Sequence, residues 1–138
     1  MLSSGMREKL EDNPLRKELI HHPFFKEVRN ADGLDRAKVG VFLGQWWHPL
    51  HYFPHFLSRT IDQLPMLEMK TAICKILYQE LGEGDPARAH ERLYVSTMET
   101  AGFDEPTVAQ AAPLPETARL VDGYRESTKD RLSALGFA

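Results

Sequence analysis

The sequence predicts an all-α protein, and three observations carry that expectation. Apolar residues recur at spacings of three and four through several long stretches, the period of a helix with one buried face. No stretch alternates with a period of two as a half-buried strand would, and there is no repeat or low-complexity segment. Proline and glycine fall mostly where such helices should begin and end, at Asn13-Pro14, Asp85-Pro86 and Gly102.

The 138 residues are enough for one domain with a real core. The expected organisation is a single helical domain over 1–138. It has short N-terminal helices in 1–34, core helices in 35–101, a connection in 102–115 and a last helix in 116–135. With 42% hydrophobic and 27% charged residues the composition is that of an ordinary globular protein. A net charge of −3 and the lack of any basic cluster argue against nucleic-acid binding. Cys74 is the only cysteine, so an intrachain disulfide and a cysteine-rich zinc site are excluded; its place in an apolar run predicts a buried, inert thiol. No signal peptide and no bilayer-length apolar run is apparent, so the expectation is a soluble, cytoplasmic protein without a membrane partner.

Met1 to Gly5 reads as a disordered start, with Ser3 or Ser4 as cap of a first short helix. A second helix follows from Pro14, and His21 and His22 form a joint as surface or capping residues. A third, amphipathic, runs from Phe24 to the turn at 30–33. Asp35 then caps the long central helix, expected to reach Asp62 and to be kinked by Pro49 and Pro54. Its middle, FLGQWWHPLHYFPHFL at 42–57, packs two Trp, four other aromatic residues and three His into sixteen positions. Val39, Phe42, Leu43, Trp46, Leu50, Phe53 and Leu57 are its predicted inward face, with His48, His51 and His55 beside it.

Pro65 opens a helix to Leu81 whose inward stripe, Met69, Ala72, Ile73, Ile76 and Leu77, arrives next at Glu80. A carboxylate there must be paired, protonated or metal-bound. The turn at 82–85 leads into a helix expected over 86–101, with His90, Leu93, Tyr94, Thr97, Met98 and Ala101 on one face. One further helical turn is placed at 107–111. The last helix should turn Leu120, Val121, Tyr124, Thr128, Leu132 and Leu135 inward.

Because the loop at 82–85 is short, Glu80 and His90 should come close, and the helix bearing His51 can pack against both. One carboxylate and two imidazoles on three helix faces suit a non-haem iron or another transition metal. The plainer alternative is a polar core, with each His hydrogen-bonded and Glu80 answered by Arg88 or Lys75. Spacing alone leaves the two readings level. There is no HExxH, no nucleophile elbow and no dinucleotide fingerprint around Gly82-Glu83-Gly84.

The segments HPFF at 22–25, FLGQWWHPLHYFPHFL at 42–57, QELGEGDPARAH at 79–90 and AGF at 101–103 together resemble the haem-oxygenase-like diiron oxidases and oxygenases. These are the iron-containing redox enzymes, related to pyrroloquinoline-quinone synthase and the TenA-type thiaminases. The resemblance runs from about residue 15 to 135 and is most specific in the Glu-Leu-Gly-x-Gly…His block. It implies a haem-oxygenase-like helical bundle holding two irons that activate O₂, a non-haem and possibly di-iron centre. Such enzymes oxidise amino acids, fatty acids or amines. Glu80 and His90 match two of the family's ligands and would be the catalytic pair. At the third, a Glu three residues before the Phe-Pro of the long helix, His51 stands instead, short by one on the strictest spacing. The later Glu and His/Asp/His cluster of the family has no counterpart here, so the bundle reads as incomplete, lacking its C-terminal helices.

The resemblance therefore implies a non-haem iron oxidoreductase using O₂ on a small amino acid, amine or acid. His51, Glu80 and His90 are the expected metal ligands, His48 and His55 their supports or alternatives, and Trp47, Tyr52 and Tyr94 the substrate pocket. A metal-free enzyme of the quinone-synthase or thiaminase type, and a non-catalytic helical dimer or binding module, are the two alternatives. A half-length chain could also complete its bundle as a homodimer.

Overall fold

The computed structural model describes residues 4–137, and all of their regular structure is helical. Any structure at 1–3, a cap at Ser3 included, lies outside the described residues, as does Ala138. The chain divides into two compact units, Met1–Arg36 and Ala37–Ala138.

The first unit holds α1 (Ser4–Glu11), α2 (Pro14–Ile20) and α3 (Pro23–Asn30). Ser4 and Gly5, expected in a disordered start, are already helical in α1, while His22 caps as the sequence allows. The Asn13 side chain accepts hydrogen bonds from the amides of Leu15 and Arg16, and His22 Nδ1 accepts from that of Phe24. Pro14 and Pro23 take first-turn positions, where no amide hydrogen is needed. Neither α2 nor α3 buries a residue.

The second unit is built on α4 (Arg36–Gln63), which runs unbroken through Pro49 and Pro54. It is followed by α5 (Leu67–Glu80), a 3₁₀ turn (Pro86–Arg88), α6 (His90–Thr100), α7 (Glu105–Ala109), α8 (Pro115–Ser127) and α9 (Arg131–Phe137). Between α4 and α5 the core is Leu57, Leu64 and Ile73, with Phe53, Ile61, Met69 and Leu77 packed around them. Phe56 and Val108 are fully buried, and the Phe56 ring lies 5.5 Å from that of Tyr124.

Phe53 and Leu57 reach the core as the apolar pattern predicts, but the first half of α4 buries a different face. Phe42 and Trp46 are about half exposed and stack on each other, whereas Gly40, Gly44 and His48 are buried. The reason is steric. A Cβ on Gly44 would stand 2.8 Å from both Ala111 Cβ and the Thr107 carbonyl oxygen, and one on Gly40 would stand 3.1 Å from Thr107 Cγ2. The small residues let α7 lie directly against the α4 backbone, and that contact sets which face of α4 turns inward. Gln45 and His48 then fasten the segment after α7. Gln45 bonds the Ala112 carbonyl and the Leu114 amide, and His48 Nε2 lies 2.9 Å from the Ala111 carbonyl oxygen.

Three further expectations change. The helix expected over 86–101 begins at His90, because Ala89 at ψ 138° interrupts it after the 3₁₀ turn. The expected last helix is two, since Asp130 takes the Ser133 amide and starts α9 afresh. Of the residues expected inward, Leu120, Leu132 and Leu135 are exposed, while Val121 and Thr128, with Ala134, are buried. Cys74 is exposed, on the outer side of α5.

Candidate metal centre

The site is set by how α5 ends. Gly82 takes φ +87° and closes the helix as a Schellman cap: its amide donates to the Gln79 carbonyl and that of Glu83 to the Tyr78 carbonyl. Glu83 (φ 57°) and Gly84 (φ +96°) continue the left-handed turn. A Cβ on Gly82 would stand 2.6 Å from the Ala89 nitrogen and 2.7 Å from the Arg88 carbonyl carbon, so only glycine lets the start of α6 pack onto the end of α5. Asp85 caps the 3₁₀ turn by accepting from the Ala87 amide, and Tyr78 Oη donates to the Glu83 carbonyl at 2.6 Å.

That turn brings two predicted residues together. Glu80 Oε2 lies 3.0 Å from His90 Nδ1. The Glu80 side chain is only 12% exposed, although Ala72 and Ile76 of its expected inward stripe are exposed, and its partner is His90 rather than Arg88 or Lys75. Arg88 is turned to Glu83 at 3.6 Å. The pair forms part of the wall of a cleft of about 330 Å³, lined also by Gln79, Gly82, Glu83, Arg88 and Leu93. That size lies at the lower end of small-molecule sites.

His51 belongs to a second pair. Its Nδ1 is 2.9 Å from Oε1 of Glu91, a residue to which the sequence reading gives no role. Among the described residues no three His, Cys, Asp or Glu side chains gather to hold one metal ion. The expected trio is therefore not drawn together as a cluster: Glu80 meets His90, and His51 meets Glu91. His90 and Glu91 are consecutive on α6, and consecutive helical side chains do not face the same way.

The remaining predicted residues take supporting places. The Trp47 ring stacks on His51 at 4.4 Å and 16°, and Tyr52 meets the same imidazole edge-on at 4.9 Å. Tyr94 donates to the Leu43 carbonyl at 2.9 Å, and burial pushes its phenol up to about 12. None of these three aromatic residues lines the cleft at Glu80 and His90. His48 is bound to the Ala111 carbonyl, and His55 is exposed.

A family model described as iron-containing redox enzyme matches residues 41–138. The chain belongs to the iron-containing redox enzyme family. The match spans both carboxylate–imidazole pairs of this family member and begins within α4. No curated protein and no solved structure matches the chain. No helix among the described residues is long and apolar enough to cross a membrane. The donor set fits the metal in the family's description, since carboxylate oxygen and imidazole nitrogen are both good ligands for non-haem iron.

Proposed function

We propose that this protein is an O₂-dependent oxidoreductase in which Glu80 and His90 hold a non-haem iron and act on a small organic substrate in the adjoining cleft. The observation that carries this reading is the 3.0 Å approach of Glu80 Oε2 to His90 Nδ1, on a turn that glycine alone permits. The largely buried Glu80 supplies negative charge where a bare carboxylate would otherwise be costly. When bound, iron supplies the one-electron chemistry that O₂ activation needs.

The chain's own groups then have distinct tasks. Glu80 and His90 fix the reacting centre at one wall of the cleft. Leu93 and the stem of Arg88 give that wall its apolar part, while Gln79 and the Arg88 guanidinium can hold polar groups of an amino acid, amine or acid. His48 keeps the backbone at 111 in place, and Trp47 and Tyr52 steady the His51 ring.

The test is iron retention. Protein loaded anaerobically with Fe²⁺ and desalted should hold iron in the wild type and lose the Glu80–His90 ion in Glu80→Ala and in His90→Ala. Equal iron in all three proteins would overturn the assignment. Fe²⁺-dependent O₂ consumption should disappear in the same two variants.

A further inference from the structure

We propose that the first half of α4 is the contact face of a homodimer, on which a second copy of this chain seats its own α4. The long helix carries one apolar line along most of its length. Spacings of four and seven put Phe42 and Trp46 in line with Phe53, Leu57 and Leu64, on the side away from Gly40 and Gly44, where α7 packs. Only the second half of that line is covered by α5, which has 14 residues to the 28 of α4, about 21 Å against about 42 Å. Where the two helices meet, Leu57 and Leu64 are buried with Ile73. Further back on the same line, Trp46 is 56% exposed, and Phe42, stacked on it at 6.4 Å, is 47% exposed.

The amount of exposed surface and its chemistry point to the occupant. A 15.8 kDa chain counted as two separate compact bodies, divided after Arg36, exposes about 8,600 Å². This chain exposes 10,100 Å². The surplus of about 1,500 Å² falls within the range of about 1,000–2,500 Å² that each partner contributes to an obligate homodimer. From Val39 to Ser58 the helix carries no Asp, Glu, Lys or Arg. Depletion of charge with enrichment of Trp and Phe is the composition of an interface core. A face without charge also meets an identical face without repulsion. Antiparallel α4 helices about a twofold axis set Phe42 against the partner's Trp46 and Trp46 against the partner's Phe42, so each aromatic contact is made twice.

Sedimentation equilibrium of the full chain, without added metal, tests this independently of the iron assignment. The wild type should sediment as a dimer at micromolar concentration. Trp46→Glu should weaken the dimer by about 100-fold or more, because the twofold axis enters each new charge twice. Trp46→Phe, which keeps an apolar ring, should remain dimeric. Leu132→Glu, a charge at an 83% exposed apolar residue away from α4, should leave the dimer intact. Far-UV circular dichroism checks that each variant is helical, and Phe42→Lys serves as the second disrupting variant if Trp46→Glu does not fold. A monomeric wild type, alone or holding a different protein, would overturn the proposal. So would a wild-type dimer that the folded α4 variants leave equally tight, since its contact would lie on another face.

Discussion

Glu80 with His90 and Glu91 with His51 are the same chemical pair made in two ways. Both set a carboxylate oxygen against imidazole Nδ1, at 3.0 and 2.9 Å. The first is local: ten residues of chain, a Schellman cap and a left-handed turn bring its members together. The second joins residues forty positions apart and depends on how α4 packs against α6. Their carboxylates also differ in burial, the Glu80 side chain being 12% exposed and that of Glu91 39%, while His90 is the more exposed of the two imidazoles. Turn chemistry makes the first pair and helix packing makes the second, so each can be broken without the other.

Gly82→Ala should have the largest effect, because it strikes the turn that makes the local pair. An alanine would be forced to a positive φ with its Cβ against the backbone of Asp85, Arg88 and Ala89 just before α6, destabilising the protein by about 3 kcal/mol or more. Urea unfolding should show this, with iron binding lost at Glu80 and His90. His48→Ala should come next, at about 2 kcal/mol, by removing a buried group and leaving the Ala111 carbonyl without its partner. Iron retention in the folded fraction should stay at the wild-type level, which separates His48 from the proposed ligands.

The two carboxylates offer a direct contrast. In metal-free protein Glu80→Ala should lower stability by about 1–2 kcal/mol, by leaving an inward site empty and His90 without its partner. Glu91→Ala should cost under about 1 kcal/mol, since its contact is shared with solvent. Thermal unfolding of the two variants side by side would show whether burial orders the pairs as expected.

Tyr94→Phe is the smallest change, under about 1 kcal/mol at neutral pH. Its signature lies at high pH. The folded phenol is raised to about 12 while the unfolded one ionises near its ordinary value of 10. The unfolded state therefore loses its proton first, and the stabilisation is complete below pH 10 and fades as pH rises toward 12. Alkaline unfolding curves should lose that component in Tyr94→Phe.

The same contrast explains what could be read from the sequence. Glu80 and His90 were legible because a short loop between two helices fixes their separation within narrow limits, and because the Gly82 and Gly102 caps carry their own signatures. Glu91 was not, since nothing in its neighbourhood marks a charged residue on the first turn of α6 as the partner of a distant His. Only the first half of α4 departs from its apolar pattern, for a related reason, since Phe53 and Leu57 reach the core as expected. Apolar periodicity favoured Phe42 and Trp46, but Gly40 and Gly44 admit α7 so closely that the face with the least side chain became the buried one. The split at Thr128–Asp130 leaves no mark on the apolar period, because Asp130 as a cap interrupts an otherwise continuous pattern. All-helical class and family membership were both legible, carried by long periodic stretches and by blocks of contiguous residues.

The central claim is that Glu80 and His90 hold iron. A crystal of the full chain loaded with Fe²⁺ without oxygen, with anomalous data collected on either side of the iron edge, tests it most directly. The account predicts an anomalous peak within bonding distance of both Glu80 Oε2 and His90 Nδ1. A well-occupied iron peak elsewhere, with Glu80 still in direct contact with His90 and no density between them, would contradict it.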